Sequence, residues 1–275
     1  MVNIIREADK FVFVHIPKCG GSSIAIGLTA ALDPPLPGEI RYTGLKLDTR
    51  EGLGTYMDAH KPLWMLRDYF PDELAAYRNC ACFAVARDPL KRFISAVQQH
   101  IREFGNSNIA DMSDAEVNQT LDHIMDHITT HRDNVGGEYV HFIPQYDYVF
   151  LDGERIVEHV YPLENLDAMA THIATVIKRP VSFKHRANTS AGRQMGPLKV
   201  IKRFGKPLRK VMPSGLYWSV KSFVIKSMTK SLPDNSLDVL HSDRVRAFVK
   251  EYYANDTWLY NEARQMIASQ TAQAS

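Results

Sequence analysis

The fold of this chain is decided by residues 10–28, KFVFVHIPKCGGSSIAIGL. Apolar residues dominate positions 11–16 and predict a buried strand, which Pro17 and a pair of glycines then end. The two serines that follow can cap a helix over residues 24–32. A tight loop between a strand and a helix turns its backbone N–H groups toward one point at the positive end of the helix. The stretch therefore predicts a site for a phosphate or sulfate group.

The side chains of this loop suit the same kind of ligand. Gly20 and Gly21 allow close approach of the backbone because neither has a Cβ. Lys18 adds a mobile positive charge, and Ser22 and Ser23 add hydroxyl donors. The loop that binds ATP or GTP, G-x-x-x-x-G-K-[ST], has its lysine after the glycines, whereas this lysine precedes them. An ordinary nucleoside triphosphatase therefore fits poorly, and a strand–helix turn without a ligand stays open as the alternative.

A second strand–loop–helix unit follows at residues 81–101. Residues 81–86 form a short apolar run typical of a buried parallel strand, and Arg87 stands at its carboxyl end. Pro89 suits the first turn of a helix in which apolar residues recur at three- and four-residue spacing. Ser95 lies about two turns along that helix. An arginine fork and a hydroxyl on the same side could hold one phosphate dianion, and an ordinary amphipathic helix with a surface arginine is the alternative.

Three further segments have readable patterns. Residues 113–131 and 243–268 each predict a helix, because apolar side chains recur on one face. Residues 34–54 are rich in Pro, Gly and charge and predict an irregular segment. A solvated or partly packed helix flank explains three histidines that recur every four residues better than a metal site does, and no metal is predicted. These histidines are His123, His127 and His131.

Two motifs together resemble a known family. The loop IPKCGGSS, residues 16–23, is similar to the PKTGGTS loop of sulfotransferases that use 3′-phosphoadenosine 5′-phosphosulfate (PAPS), and Cys19 stands where threonine is usual. Residues 87–95, RDPLKRFIS, match the signature R-D-P-x-x-R-x-x-S, which binds the 3′-phosphate of PAPS in that family. More narrowly, the chain resembles the branch that contains heparan and chondroitin/dermatan sulfotransferases and bacterial relatives.

The resemblance implies an α/β fold of the P-loop NTPase-like, three-layer type, with a short central parallel sheet flanked by helices and the phosphate loop after the first strand. It implies PAPS as co-substrate, with Lys18 also stabilising charge on the leaving phosphate. A later loop resembles the family's N-x-S segment and would fold over the nucleotide. The residues implied in PAPS binding are Lys18, Cys19, Gly20, Gly21, Ser22, Ser23, Arg87, Ser95, Arg186, Asn188 and Ser190.

The resemblance also suggests the catalytic base. His60 matches the histidine of the branch's KHAT segment, although Lys61 and Pro62 follow it here in place of Ala-Thr. Histidine suits the role because its pKa lies close to neutral. His141 is the second candidate, in a passage HFIPQ whose counterpart in relatives lies near the acceptor site. Gln145, which ends that passage, is a plausible contact to the acceptor.

Charge is divided unevenly along the chain. Residues 168–233 hold 14 of the 33 Lys and Arg residues and none of the 31 Asp and Glu residues, so the net charge of +2 hides a strongly basic region. Part of it, residues 195–232, has no counterpart in the resembled family and is predicted as an insertion in a single domain covering residues 1–275. Residues 216–228 mix aromatic, aliphatic and lysine side chains, as a helix in peripheral contact with an anionic membrane would, and the slightly favoured alternative is an ordinary packed helix with a solvated basic face.

Composition bounds the class of protein. A chain of 275 residues with 45% hydrophobic and 23% charged residues is ordinary for a soluble globular protein. No run approaches the roughly 18 apolar residues of a membrane span, and the N-terminal residues do not resemble a secretory signal. Three cysteines are few and odd in number, which favours reduced thiols. We therefore expect a cytoplasmic protein, with peripheral contact at the inner face of the membrane as an added expectation. Eukaryotic Golgi members of the resembled branch carry a membrane span, so the resemblance implies a bacterial protein.

The function expected from these observations is transfer of a sulfuryl group from PAPS to an acceptor hydroxyl, on a carbohydrate or a glycolipid. Two other classes stay open: a non-catalytic module that docks on anionic lipid or polysaccharide, and a P-loop nucleotide phosphotransferase. A nucleic-acid partner is not expected, because the basic region lacks a recognised nucleic-acid fold.

Overall fold

A five-stranded mixed sheet forms the centre of the fold in the computed structural model, which describes residues 2–43, 47–105, 107–183 and 238–273. The strand order is β3-β1-β2-β6-β9, with β2, β6 and β9 parallel and with β1 antiparallel to both β2 and β3. Two hairpins, β4–β5 and β7–β8, stand apart from this sheet. The strands are β1 (Val2–Arg6), β2 (Phe11–Val14), β3 (Ile40–Thr43), β4 (Leu47–Arg50), β5 (Gly54–Met57), β6 (Ala81–Ala86), β7 (Phe150–Leu151), β8 (Glu154–Arg155) and β9 (His159–Pro162).

Helices cover the sheet. α1 and α3 pack against β1, α6 packs against β9, and α8 packs against both β6 and β9. In the described part of the chain the helices are α1 (Gly21–Ala31), α2 (Leu63–Tyr69), α3 (Pro71–Asn79), α4 (Pro89–Glu103), α5 (Asp114–Thr130), α6 (Leu166–Ile177), α7 (Asp243–Tyr252) and α8 (Ala254–Gln273). No described helix is both long enough and apolar enough to cross a membrane.

The central strands are buried on both faces, which explains their continuous apolar runs. All four residues of β2 are buried, and Phe13 pairs with Phe83 of β6, which pairs in turn with His159 of β9. Burying a side chain of phenylalanine size contributes about 2–3 kcal/mol. Because β2, β6 and β9 are parallel, the segments that leave their carboxyl ends meet at one edge of the sheet.

The predicted α/β class is confirmed, but the sheet is mixed and not wholly parallel. The predicted phosphate loop follows the second strand and not the first, because residues 2–6 form an additional strand in a hairpin with β2. Residues 34–54 were predicted as irregular, and this is wrong: they contain β3 and β4. Pairing with a neighbouring strand stabilises these short strands, and a strand made by pairing leaves little periodic signal in the sequence.

Helix boundaries agree with the prediction at α4 and α5 and differ at the start of α1 and within residues 243–268. Pro89 is the first residue of α4, and the carboxylate of Asp88 caps it by accepting the amide of Lys91. Residues 243–268 were predicted as one helix but form parts of two, α7 and α8, which meet at Tyr253. Residues 184–237, which include most of the basic region, lie outside the described residues. The predicted insertion at 195–232 lies among them, and so do three predicted PAPS contacts, Arg186, Asn188 and Ser190.

Candidate active site

The loop between β2 and α1 touches the segment that follows β9. Gly20 is the N-cap of α1, with a left-handed φ of 79°, and a Cβ built on it would lie 2.5 Å from Cδ1 of Leu163. Any other residue would be strained by the φ and would also collide with Leu163. Glycine is therefore required here for the loop to lie close to the end of β9.

The helix begins three residues earlier than predicted. α1 starts at Gly21, so Ser22 and Ser23 lie in its first turn and do not cap it, and the amide of Ser23 donates to the carbonyl of Gly20 at 3.0 Å. Gly20 itself serves as the N-cap because its left-handed backbone reverses the chain without a side-chain bond. The positive end of α1 thus opens directly onto the loop.

Gly21 is in close contact with a buried histidine. A Cβ at this position would lie 1.9 Å from Nε2 of His15, the first residue after β2. The His15 ring therefore packs directly against Gly21, the first residue of α1. This contact joins the loop between β2 and α1 to a cluster of three buried histidines, which is described below.

Lys18 is held in the loop by both its backbone and its side chain. Its φ is 67°, a left-handed conformation that costs energy for a residue with a Cβ. Its carbonyl accepts a 3.0 Å hydrogen bond from the guanidinium of Arg87, and its ammonium donates to Oε1 of Gln99 at 2.6 Å. Burial lowers the pKa of Lys18 to about 8, and the positive charge of Arg102 lowers it further. The ammonium of Lys18 is therefore easier to deprotonate than that of an ordinary lysine.

Arg87 lies where the sequence predicted, directly after β6 and before α4, and its guanidinium reaches across to the loop that carries Lys18. Ser95 is half-buried on α4. Arg92, the other arginine of the signature, is buried and donates to the carbonyls of His141 and Ile143 at 3.0 and 2.7 Å. Arg92 therefore braces the chain segment that carries His141.

Gln145, which the resemblance suggested as a contact to the acceptor, bonds to the protein itself through its side chain. Its side chain is buried; Oε1 accepts the backbone amide of Arg87 at 2.8 Å and the thiol of Cys19 at 3.2 Å. Burial raises the pKa of the Cys19 thiol to about 12, so the thiol keeps its proton and can donate. Gln145 and Cys19 thus join the loop after β2 to the end of β6.

Three histidines from distant parts of the sequence pack together beside the loop. His60 lies between the other two: its ring centroid is 4.6 Å from that of His15 and 5.5 Å from that of His141, edge to face in both pairs. All three are buried, and His60 has no exposed surface. Nδ1 of His60 lies 3.4 Å from the carbonyl oxygen of His15. Both ring nitrogens of His141 lack a hydrogen-bond partner among the described residues.

The turn that carries His60 is anchored on both sides. His60 ends a short 3₁₀ turn, Asp58–His60, and its carbonyl accepts the hydroxyl of Tyr148 at 3.2 Å. The next residue, Lys61, is buried and donates to Glu73 at 2.6 Å. This departure from the family's Ala-Thr therefore provides an ion pair that holds the histidine turn against α3.

Burial keeps all three histidines neutral. It lowers the pKa of His60 to about 4 and the pKa values of His15 and His141 well below the usual range. The charge of Lys18 contributes to the lowering at each of the three, which places the ammonium and the histidine cluster within one electrostatic environment. A neutral imidazole can accept a proton, which is the chemistry a general base requires.

The other histidine series packs without a metal-type arrangement. The ring of His127 stacks on Tyr139, with centroids 3.8 Å apart, and on His131 at 4.4 Å. Nε2 of His127 lies 3.0 Å from the carbonyl of Val135, and Nδ1 of His131 lies 3.0 Å from the carbonyl of His127. No group of three or more metal-type ligands occurs among residues 2–43, 47–105, 107–183 and 238–273.

Sequence reasoning missed two residues of the site. His15 was not selected, although its position directly after a buried parallel strand is one where functional side chains collect. Gln99 was also missed, and its spacing of one helical turn after Ser95 is the only local signal that could have identified it. Both residues contact the loop that the sequence did identify.

The loop after β2, Arg87 and a cluster of neutral histidines thus lie together at one edge of an α/β sheet. Residues 3–261 match the model of the Sulfotransferase family, and the chain belongs to that family. It is therefore a transferase of sulfuryl groups to an acceptor. No curated protein and no solved structure matched the chain.

Proposed function

We propose that the protein transfers the sulfuryl group of PAPS to a hydroxyl of a carbohydrate or a glycolipid, on a fold of the P-loop type. The observation that carries the proposal is the contact between His15 and Gly21, which brings the helix N-terminus and Lys18 next to the buried histidines. For a direct transfer, the groups that bind the donor and the base that activates the acceptor need to lie close together. The carbohydrate or glycolipid acceptor rests on the sequence likeness to the heparan and chondroitin/dermatan branch.

In this proposal the phosphosulfate lies over the loop amides at the N-terminus of α1. Lys18 exchanges its bond to Gln99 for one to the donor. Arg87, with Ser95, holds the 3′-phosphate. Because Arg87 also donates to the carbonyl of Lys18, the two ends of the nucleotide are bound by connected residues.

The segment that leads to the predicted loop over the nucleotide packs against α1, because a Cβ on Gly27 would lie 2.4 Å from the carbonyl oxygen of Ser182 and 2.6 Å from the ring of Phe183. The proposed roles of Arg186, Asn188 and Ser190 in nucleotide binding rest on the sequence resemblance, because these residues lie outside the described part of the chain.

His60 is the proposed base. With a proton on Nδ1 directed toward the carbonyl of His15, its Nε2 carries the lone pair that takes the proton of the acceptor hydroxyl. The acceptor oxygen then bonds to sulfur while the bond from sulfur to the 5′-phosphate oxygen breaks. Lys18 neutralises the charge that develops on that phosphate. His141 lies beside His60, and its two ring nitrogens lack a hydrogen-bond partner among the described residues. It is the second candidate for the base.

Binding of the product nucleotide tests the proposal directly. The protein would be titrated in a calorimeter with adenosine 3′,5′-bisphosphate and with adenosine 5′-monophosphate, beside Arg87→Ala and the control Arg78→Ala, which removes an exposed ion pair with Glu154. We expect micromolar binding that needs both the 3′-phosphate and Arg87 and that the control retains. A folded protein that binds neither nucleotide would refute PAPS as the donor.

The acceptor is identified next, in a screen for turnover with PAPS. Uncharged and anionic polysaccharides and glycolipid vesicles would be incubated with the protein, and the release of adenosine 3′,5′-bisphosphate would be followed. We expect release to depend on one of these acceptors and to be lost in His60→Asn. Release that no carbohydrate or glycolipid raises, while a phenolic acceptor does, would overturn the acceptor class.

A further inference from the structure

We propose that Gln145 is a positioning residue that holds the 3′-phosphate arginine in register with the phosphosulfate loop. The inference rests on the proposed function, because it concerns the two halves of the same donor site. It gives Gln145 a role on the donor side, whereas the sequence likeness placed it near the acceptor. The argument begins with the hydrogen bonds of its side chain.

The side-chain amide of Gln145 bonds to two separate segments, the loop after β2 and the residue that follows β6. Oε1 accepts the backbone N–H of Arg87 at 2.8 Å and the thiol of Cys19 at 3.2 Å, and Nε2 donates to the carbonyl of Arg87 at 2.9 Å. Arg87 is therefore bound through both its N–H and its C=O, much as a neighbouring strand would bind it.

These bonds use both acceptor sites of the side chain and one of its two N–H donors, because a primary amide has two acceptor lone pairs and two N–H donors. Oε1 faces two donors, from Arg87 and Cys19, and Nε2 faces the carbonyl of Arg87. Reversal of the amide would set its oxygen against that carbonyl and its NH2 group against the N–H of Arg87. The contacts to Arg87 therefore allow only one orientation of the Gln145 amide.

The backbone of Gln145 is fixed as well. Asp256 accepts the amides of Gln145 and Tyr146 at 2.9 Å each, and its carboxylate lies 3.6 Å from the guanidinium of Arg92. Gln145 and Asp256 are both fully buried. A rigid residue that is anchored from α8 therefore spans from β6 to the loop after β2. The position of Arg87 relative to Cys19 depends on it.

Loss of the Gln145 amide should affect the two halves of the nucleotide differently. The bonds to Arg87 position the group proposed to bind the 3′-phosphate, and the bond to Cys19 positions the loop proposed to bind the 5′-group. Buried donors and acceptors that lose their partners move to find new ones, because leaving them unpaired is costly. Arg87 loses two bonds and Cys19 loses one, so the 3′-phosphate contact should weaken more.

The test compares two affinities in one protein. The dissociation constants for adenosine 3′,5′-bisphosphate and for adenosine 5′-monophosphate would be measured by calorimetry in the wild type, Gln145→Met and Gln145→Glu. Their ratio measures what the 3′-phosphate contributes. We expect this ratio to fall about tenfold in Gln145→Met, in which both bonds to Arg87 are absent. Partial unfolding would lower the number of binding sites and leave the ratio unchanged.

Gln145→Glu and Cys19→Ala complete the design. Gln145→Glu keeps an oxygen that can accept from Arg87 and Cys19 and loses the N–H that donates to Arg87, so the ratio should fall in it too. If Gln145→Met does not fold, the ratio in Gln145→Glu decides the question. Cys19→Ala removes only the loop-side bond and should weaken both nucleotides by the same factor. A folded Gln145 variant with the wild-type ratio would overturn the positioning role. A wild type that binds neither nucleotide would instead refute the proposed function.

Discussion

The strongest prediction concerns Lys18 and pH. Burial and the charge of Arg102 lower the pKa of Lys18 from 10.5 to about 8. Only the protonated lysine attracts an anionic donor, so nucleotide binding should weaken as the pH rises through about 8. An ordinary lysine would remain charged over the same range.

The magnitude follows from the pKa value. For a group that must be protonated, the apparent dissociation constant scales as one plus the ratio of deprotonated to protonated forms. With a pKa of about 8, this factor is about 1.1 at pH 7 and about 11 at pH 9, a tenfold loss of affinity. With a pKa of 10.5, the change over the same interval would be about 3%. The two cases are easily separated.

The assay is calorimetric titration with adenosine 3′,5′-bisphosphate at half-unit steps from pH 7 to pH 9.5. Few other groups of the site titrate in this range, because burial keeps the histidines neutral and raises the pKa of Cys19 to about 12. Lys18→Arg is the control, since a guanidinium stays protonated and should flatten the profile. A wild-type affinity that changes by less than twofold between pH 7 and pH 9, or a Lys18→Arg profile as steep as the wild type, would refute the reasoning.

Three further predictions concern packing around the site. Gly21→Ala places a Cβ 1.9 Å from the buried ring of His15. We expect the free energy of unfolding in urea to fall by about 1–3 kcal/mol and nucleotide binding to weaken at least tenfold. An unchanged stability would show that the ring can move away. Arg92→Met leaves the carboxylate of Asp256 without its cation and should cost about 3–5 kcal/mol in the same assay; a cost below 1 kcal/mol would mean that the buried pair contributes little. Asp88→Ala removes the N-cap of α4, for about 1 kcal/mol, and Asp88→Asn, which retains a capping oxygen, should recover most of it.

Much of the local structure was predictable from the sequence. β6 and the start of α4 fell where the apolar run and Pro89 placed them, and the capping box of α5 agrees with the predicted helix from Ser113. These features depend on residues a few positions apart, so the sequence carries their signal directly. The start of α1 was misplaced, because a glycine N-cap in a left-handed conformation leaves no capping side chain to recognise.

The antiparallel side of the sheet was harder to predict from the sequence. Residues 2–5 of β1 pair with residues 40–43 of β3, the strand at the edge, and β3 lies in a segment rich in Pro and Gly. Their stability depends on a partner strand remote in sequence, which a local pattern does not reveal. The mixed sheet is therefore a result of tertiary pairing.

The sequence by itself determined the α/β class, the loop after β2, the arginine after β6 and, through the two motifs, the family. The tertiary structure alone decided that His15, His60 and His141 share one cluster and that Gln145 turns toward the loop after β2. Cys19 and Gln145 are 126 residues apart, and Lys18 and Gln99 are 81 apart. Contacts at such separations depend on how whole elements pack, and burial among those elements, not the residue type, makes the histidines neutral and Lys18 easy to deprotonate.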